Sequence, residues 1–248
     1  MKPLLRRRGA LVSGSLFLFA GLAWAHMPIL IPEAALVPRG EPVALRYQFG
    51  HPYEVELAAT ARPARVLAHP PQGAAVDLGA SLAPQGPEAE RSWSLSYTPK
   101  DRGDHVVTLE SAPVEHDGET WVDHVKLVLH CGVEQGWDRD LGQPGEFVPL
   151  TRPYGLPVGV AFRATLVAGE GEARGPVAGA QVQLEYLNTE APGELPPEPF
   201  VTRVEKTNAL GELCATFDRP GWWILAAELP AAGDGPRRRV CLWVPVGP

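Results

Sequence analysis

The run Thr120–His130, TWVDHVKLVLH, is the longest β-like stretch in the chain, and its reading decides the fold. Asp123, Val125, Leu127 and Leu129 fall on one face, which is mostly apolar, while His124 falls on the other and is expected to point outward. His124 and His130 share that face but lie six residues apart, roughly 20 Å along a straight strand, so they cannot hold one ion together. Shorter runs of the same kind flank it: 42–49 (PVALRYQF), 54–60 (EVELAAT), 92–97 (SWSLSY) and 105–111 (HVVTLES). Their separators, such as 69–73 (HPPQG), 99–104 (PKDRGD) and 115–119 (EHDGE), are made of turn residues. With 26 glycines and 27 prolines in 248 residues there is little room for a long helix, since an interior proline costs about 3 kcal/mol.

The spacing predicts an antiparallel sandwich of immunoglobulin type over residues 26–150. Around 145–157 the chain reads GEFVPLTRPYGLP, a proline-punctuated crossing taken as the boundary. Beyond it, 158–167, 180–186, 200–206, 212–217, 222–229 and 238–246 read as the strands of a second sandwich over residues 151–248. The expected fold class is therefore all-β, with two antiparallel β-sandwich domains. In Trp222-Trp223, alternation sends one ring into the core and leaves the other as a surface.

The first 25 residues read as a signal peptide. Lys2, Arg6, Arg7 and Arg8 precede the apolar run Gly9–Leu22, and Ala23-Trp24-Ala25 offers small residues at the cleavage positions. No later run reaches the ~20 apolar residues of a membrane span. Export to the periplasm is expected, and loss of those four cations takes the formal net charge from −7 to −11. Such a charge argues against a nucleic-acid partner, which needs basic patches to displace counterions. Export permits disulfides: Cys214 and Cys241 could bridge, leaving Cys131, or all three could be small buried hydrophobes.

All seven histidines lie between His26 and His130. If strand 29–36 pairs antiparallel with 42–49 through the turn at Pro38–Glu41, His26 and His51 meet at one end of a sheet, and the loop 112–119 with His116 reaches the same end. Cleavage after Ala25 makes His26 the N-terminal residue, whose free α-amine (pKa about 7.7–8.0) and imidazole Nδ1 chelate one ion. Nitrogen ligands suit nickel, cobalt, copper or zinc rather than magnesium or calcium. The candidate metal ligands are His26, His51, His116 and His124. Glu54 is a weaker oxygen candidate. His69 and His130 read as solvated, and His105 as a structural residue in a position like that of a tyrosine corner. No G-x-S-x-G, H-E-x-x-H or phosphate-loop motif occurs, so the expectation is a binding protein, not an enzyme.

Several stretches together resemble one exported family, of unknown function, found beside energy-coupling-factor transporters for nickel and cobalt. They are Ala25-His26, Gly50-His51-Pro52-Tyr53-Glu54, Asp123–His130, Gly136-Trp137-Asp138, Pro149–Leu156 and Pro220-Gly221-Trp222-Trp223. The resemblance implies a periplasmic accessory that binds nickel or cobalt and delivers it to a membrane transporter, with the second sandwich as spacer or docking module. Some relatives end in a membrane helix; ending at Pro248, this chain would dock noncovalently. The second half also resembles the transthyretin-like, carboxypeptidase-regulatory-like sandwich through Gly175–Val182 and Thr207–Glu212, with Asn208 where many relatives carry aspartate. Two other readings stand beside this one: a mononuclear copper oxidoreductase or copper carrier using the N-terminal chelate, and a β-sandwich interaction module without metal.

Overall fold

The computed structural model describes residues 26–116, 118–233 and 235–248; the expected signal peptide, residues 1–25, lies outside the described residues. The protein is all-β, and among the described residues helical geometry is confined to four three-residue 3₁₀ turns. No described helix is long and apolar enough to cross a membrane.

A ten-stranded sheet forms the middle of the molecule. Its path runs Arg203–Lys206, Gln181–Tyr186, Gly221–Leu229, Arg237–Gly247, Glu119–Cys131, Gly103–Glu110, Arg65–His69, Val76–Asp77. Strands from both halves of the chain therefore share one sheet. They meet where Glu119–Cys131 pairs with Arg237–Gly247 in parallel, from Trp121↔Arg237 to Lys126↔Leu242. The pairing of Leu156–Pro157 with Arg237–Gly247 is also parallel, and the other ladders are antiparallel, as expected.

Alternation along the shared strands explains the two cores. Ile224, Ala226, Cys241 and Trp243 face a core with Met27, Ile29, Leu45, Tyr47, Val125, Leu127 and Leu129. Trp223, Leu225, Val240, Leu242 and Val244 face the opposite way, toward Phe147, Phe162, Leu166 and Leu213. The first core lies under a five-stranded sheet built on Met27–Pro32, Val43–His51 and Ser92–Tyr97, and the second under a four-stranded sheet built on Gly145–Pro149, Ala161–Ala168 and Glu212–Thr216. The two sandwiches are back to back on the central sheet.

Several expectations change at this level. Gly145–Pro149, within the proline-punctuated crossing and before the expected boundary at 150, pairs with Ala161–Ala168 beyond it. Arg65–His69, not foreseen as a strand, pairs with Gly103–Glu110. His124 is buried, not outward, because Glu119–Cys131 is covered on both faces. Trp222 is partly buried against the first core while Trp223 fills the second, so neither forms an exposed aromatic surface. Cys214 and Cys241 are both free, since Cys241 is buried in the first core and Cys214 is exposed on the outer four-stranded sheet.

The second face of Glu119–Cys131 is closed by the connecting segment. Lys126, fully buried there, donates to Glu146 Oε2 at 2.8 Å, Arg139 O at 2.8 Å and Phe147 O at 3.1 Å. Arg139 in turn donates to the carbonyls of His69 and Pro70. Arg174 still holds Glu146 Oε1, but Oε2 and the carbonyls of Arg139 and Phe147 would lose their buried donor, so Lys126→Met is expected to lower stability by about 3 kcal/mol. Urea denaturation followed by tryptophan fluorescence checks this; an unchanged midpoint would mean that the connection is held without the ion pair.

Candidate metal centre

The antiparallel register Met27↔Gly50 puts His26 across from His51 at the ends of their strands. Their rings lie edge to face with centroids 4.5 Å apart, and Phe49 meets the His26 ring at 5.4 Å. Gly50 is required beside them: a Cβ there would come within 2.0 Å of the Glu56 carbonyl oxygen, where the chain folds back to pair with its own strand.

Arg239 anchors His26. It donates through Nη1 to the His26 carbonyl, and through Nε and Nη2 to the two carboxylate oxygens of Asp123, at 2.9 and 3.1 Å. Both side chains are buried, and the parallel register makes Asp123 and Arg239 direct neighbours. Trp243 adds a hydrogen bond from Nε1 to Pro28 O at 3.0 Å. Burial, then the charges of His51 and Arg239, hold the His26 imidazole below its ordinary value, which keeps the ring neutral and its lone pair free near neutral pH.

His116, on the short strand Val114–His116, lines a cavity of about 150 Å³ together with His26, Phe49, Trp121, Asp123 and Arg239. The structure thus gathers His26, His51 and His116 at one end of the first sandwich. His124 is separated from them. Alternation turns it away from Asp123, into a different cavity of about 220 Å³ lined by His69, Thr108 and Glu110. Among the described residues no three of His, Cys, Asp or Glu converge closely enough to hold a metal ion. At His26 and His51 the described residues thus bring together two imidazole rings and no third ligand of these types.

The other histidines are accounted for by local bonding. His105 Nδ1 meets Tyr97 Oη at 2.8 Å and its Nε2 meets Asp101 O at 3.0 Å, in keeping with a structural role. His69 and His130 are not simply solvated. His69 Nε2 contacts Thr108 Oγ1 at 3.0 Å, and burial with nearby Arg139 and Lys126 lowers it to about 4. His130 Nδ1 pairs with the fully buried Asp104 at 2.8 Å.

Sequence reasoning passed over Asp123 and Arg239. Asp123 left a signal: a carboxylate on an otherwise apolar strand face needs a buried partner. Arg239 left a fainter one: it lies in the run 238–246, read as a strand, on the same alternate face as Cys241 and Trp243.

A family model described as a domain of unknown function, DUF4198, matches residues 23–231. The chain belongs to that family. No curated protein matches it by sequence. Among solved structures it is similar to a DUF4785 family protein of Legionella pneumophila, at 11% identity and TM-score 0.32, over 82% of this chain and 53% of that one. It thus spans about half the length of the Legionella protein. It is also similar to the D0-D1 domain of intimin, at 14% identity and TM-score 0.25, over 90% of this chain and 100% of that one. Bovine butyrophilin is similar at 13% identity and TM-score 0.23, over 89% and 99%. None of these likenesses is close enough to bear on function.

The turn that follows His51 depends on a second buried acid. Glu185 accepts the Tyr53 N–H at 3.0 Å and the Thr202 hydroxyl at 3.1 Å, and burial, with the charge of Glu54 adding, pushes it from 4.5 up to about 7. A carboxyl raised in the folded state contributes stability below about pH 4.5 that is lost as pH rises through about 7, an effect of roughly 3 kcal/mol. Glu185→Gln retains an acceptor for Tyr53, so urea midpoints measured from pH 4.5 to 8 are expected to fall less in the variant than in the parent. Parallel pH profiles would show that Glu185 ionises as freely in the fold as outside it.

Proposed function

We propose that this protein is a periplasmic metal-binding accessory for nickel or cobalt uptake, a binding protein and not an enzyme, which delivers the ion to a membrane transporter. One observation carries the reading: the rings of His26 and His51 meet edge to face with centroids 4.5 Å apart, and His26 is the residue that cleavage after Ala25 would leave at the N-terminus. Two rings and an amine supply three nitrogens from two residues, a donor set for borderline ions. The neutral His26 ring and the Arg239 contact to its carbonyl favour a chelate in which the amine and the ring of one residue act together. His116, in the adjoining cavity, is the candidate for a further contact. His124 is proposed as a ligand no longer, because its ring opens onto a different cavity.

The amine must lose a proton before it binds, so affinity should weaken below neutrality. Calorimetry with nickel or cobalt at pH 7.5, on protein beginning at His26, is expected to give micromolar or tighter binding. One residue added ahead of His26 should cost about tenfold or more, and His51→Ala a comparable loss, while His69→Ala and His124→Ala leave affinity within about twofold. Equal affinity in the processed and extended proteins would remove the chelate, and absence of binding to either ion would remove the function.

The two rings of His26 and His51, with the amine that cleavage would add, also suit the copper reading, since copper(II) outcompetes nickel on intrinsic affinity for nitrogen ligands. Ascorbate- or peroxide-driven turnover with copper but not with nickel would select a copper oxidoreductase. Copper binding without turnover would select a carrier.

A further inference from the structure

We infer that Glu54 is a positioning residue for His51: its carboxylate takes the Nδ1–H of the ring, fixing the tautomer that turns the Nε2 lone pair toward the ion. The inference rests on the metal reading proposed above for what the lone pair binds, but not for the orientation itself.

The geometry begins with the turn 51–55. Val55 N–H closes it onto His51 O at 2.9 Å. Val55 does so at a φ of 61°, a left-handed conformation that a β-branched residue adopts only under constraint. The constraint is visible on both sides of Tyr53. Its N–H is held by the buried Glu185, its carbonyl accepts from Asn188 Nδ2, and the preceding carbonyl, Pro52 O, accepts from the Asn188 N–H at 3.1 Å. These contacts come from the strand Gln181–Tyr186 and the residues just beyond it, in the other half of the chain. Strain kept in place by surrounding bonds gathers at ligand clamps.

The turn lays Glu54 back along the His51 ring. Glu54 Oε2 is buried, accepts no hydrogen bond among the described residues, and lies 3.8 Å from His51 Nδ1. At 3.8 Å the two atoms are close neighbours, a little beyond hydrogen-bond distance. Burying a carboxylate oxygen without a donor is unfavourable, and the Nδ1–H of His51 is the donor at hand. A histidine that ligates a metal through one ring nitrogen commonly gives the N–H of the other to a carboxylate, which fixes ring orientation and strengthens the ligand. In His51 that leaves Nε2 to act, beside the ring of His26.

The test reads the tautomer before any metal is added. In the metal-free protein beginning at His26, ring nitrogen chemical shifts at pH 8 should show His51 as the Nδ1–H form. Glu54→Gln, which keeps a carbonyl acceptor, should retain that form, and Glu54→Ala should shift His51 to the Nε2–H form that free imidazole side chains favour. Nickel titration should then show Glu54→Ala weakened by about tenfold, with Glu54→Gln between it and the parent. An Nε2–H ring in the parent, or one that ignores Glu54→Ala, overturns the inference whether or not metal binds. A carboxylate of Glu54 found directly on the ion overturns it as well. The expected tautomer pattern in a protein that binds no nickel would uphold the orientation and bring down the metal reading instead.

Discussion

Arg239 stands beside Asp123 because the strands that carry them run parallel and in register through the middle of the central sheet. That single neighbour relation joins three distant parts of the chain. The guanidinium is held by Asp123 in the first sandwich, belongs to the last strand of the second, and reaches the carbonyl of His26 where the described chain begins. A planar, bidentate contact suits this work better than a lysine could, since it fixes direction as well as distance. Two buried charges are costly unless geometry and additional hydrogen bonds satisfy them, and here the additional acceptor is the backbone of the candidate metal residue.

The same parallel seam turns two sandwiches into one body. Because Gly221–Leu229 and Arg237–Gly247 alternate between the two cores, neither core is complete without them. The turn after His51 repeats the pattern on a smaller scale, since Glu185 and Asn188 of the second half hold its peptide groups. The second half is thus a structural part of the histidine end.

Much of this was legible in the sequence. Turn residues at regular spacing gave the all-β class and most strand positions, and counting through one hairpin brought His26 to His51. What escaped were the relations that no local pattern encodes. A parallel pairing between residues over a hundred positions apart leaves no turn to announce it. Gly145–Pro149 looked like a crossing because its glycine and proline mask a short edge strand. His124 looked exposed because period-two reasoning assigns one face of a strand to solvent, whereas this strand is covered on both faces by Lys126 and its partners on one side and the first core on the other. Trp222 failed for the same reason. Of the candidate site, the sequence reading supplied the histidines at one end but neither the Asp123–Arg239 anchor nor the strained turn.

The central claim is that one residue, His26, offers an ion both its amine and its ring, held in place opposite His51. A crystal structure of protein beginning at His26 and loaded with nickel tests it most directly. The account predicts one ion at about 2.1 Å from the α-amine nitrogen, from a ring nitrogen of His26 and from a ring nitrogen of His51. An ion bound without the amine, or lodged among His69, Glu110 and His124 on the opposite face of the sheet, would contradict it.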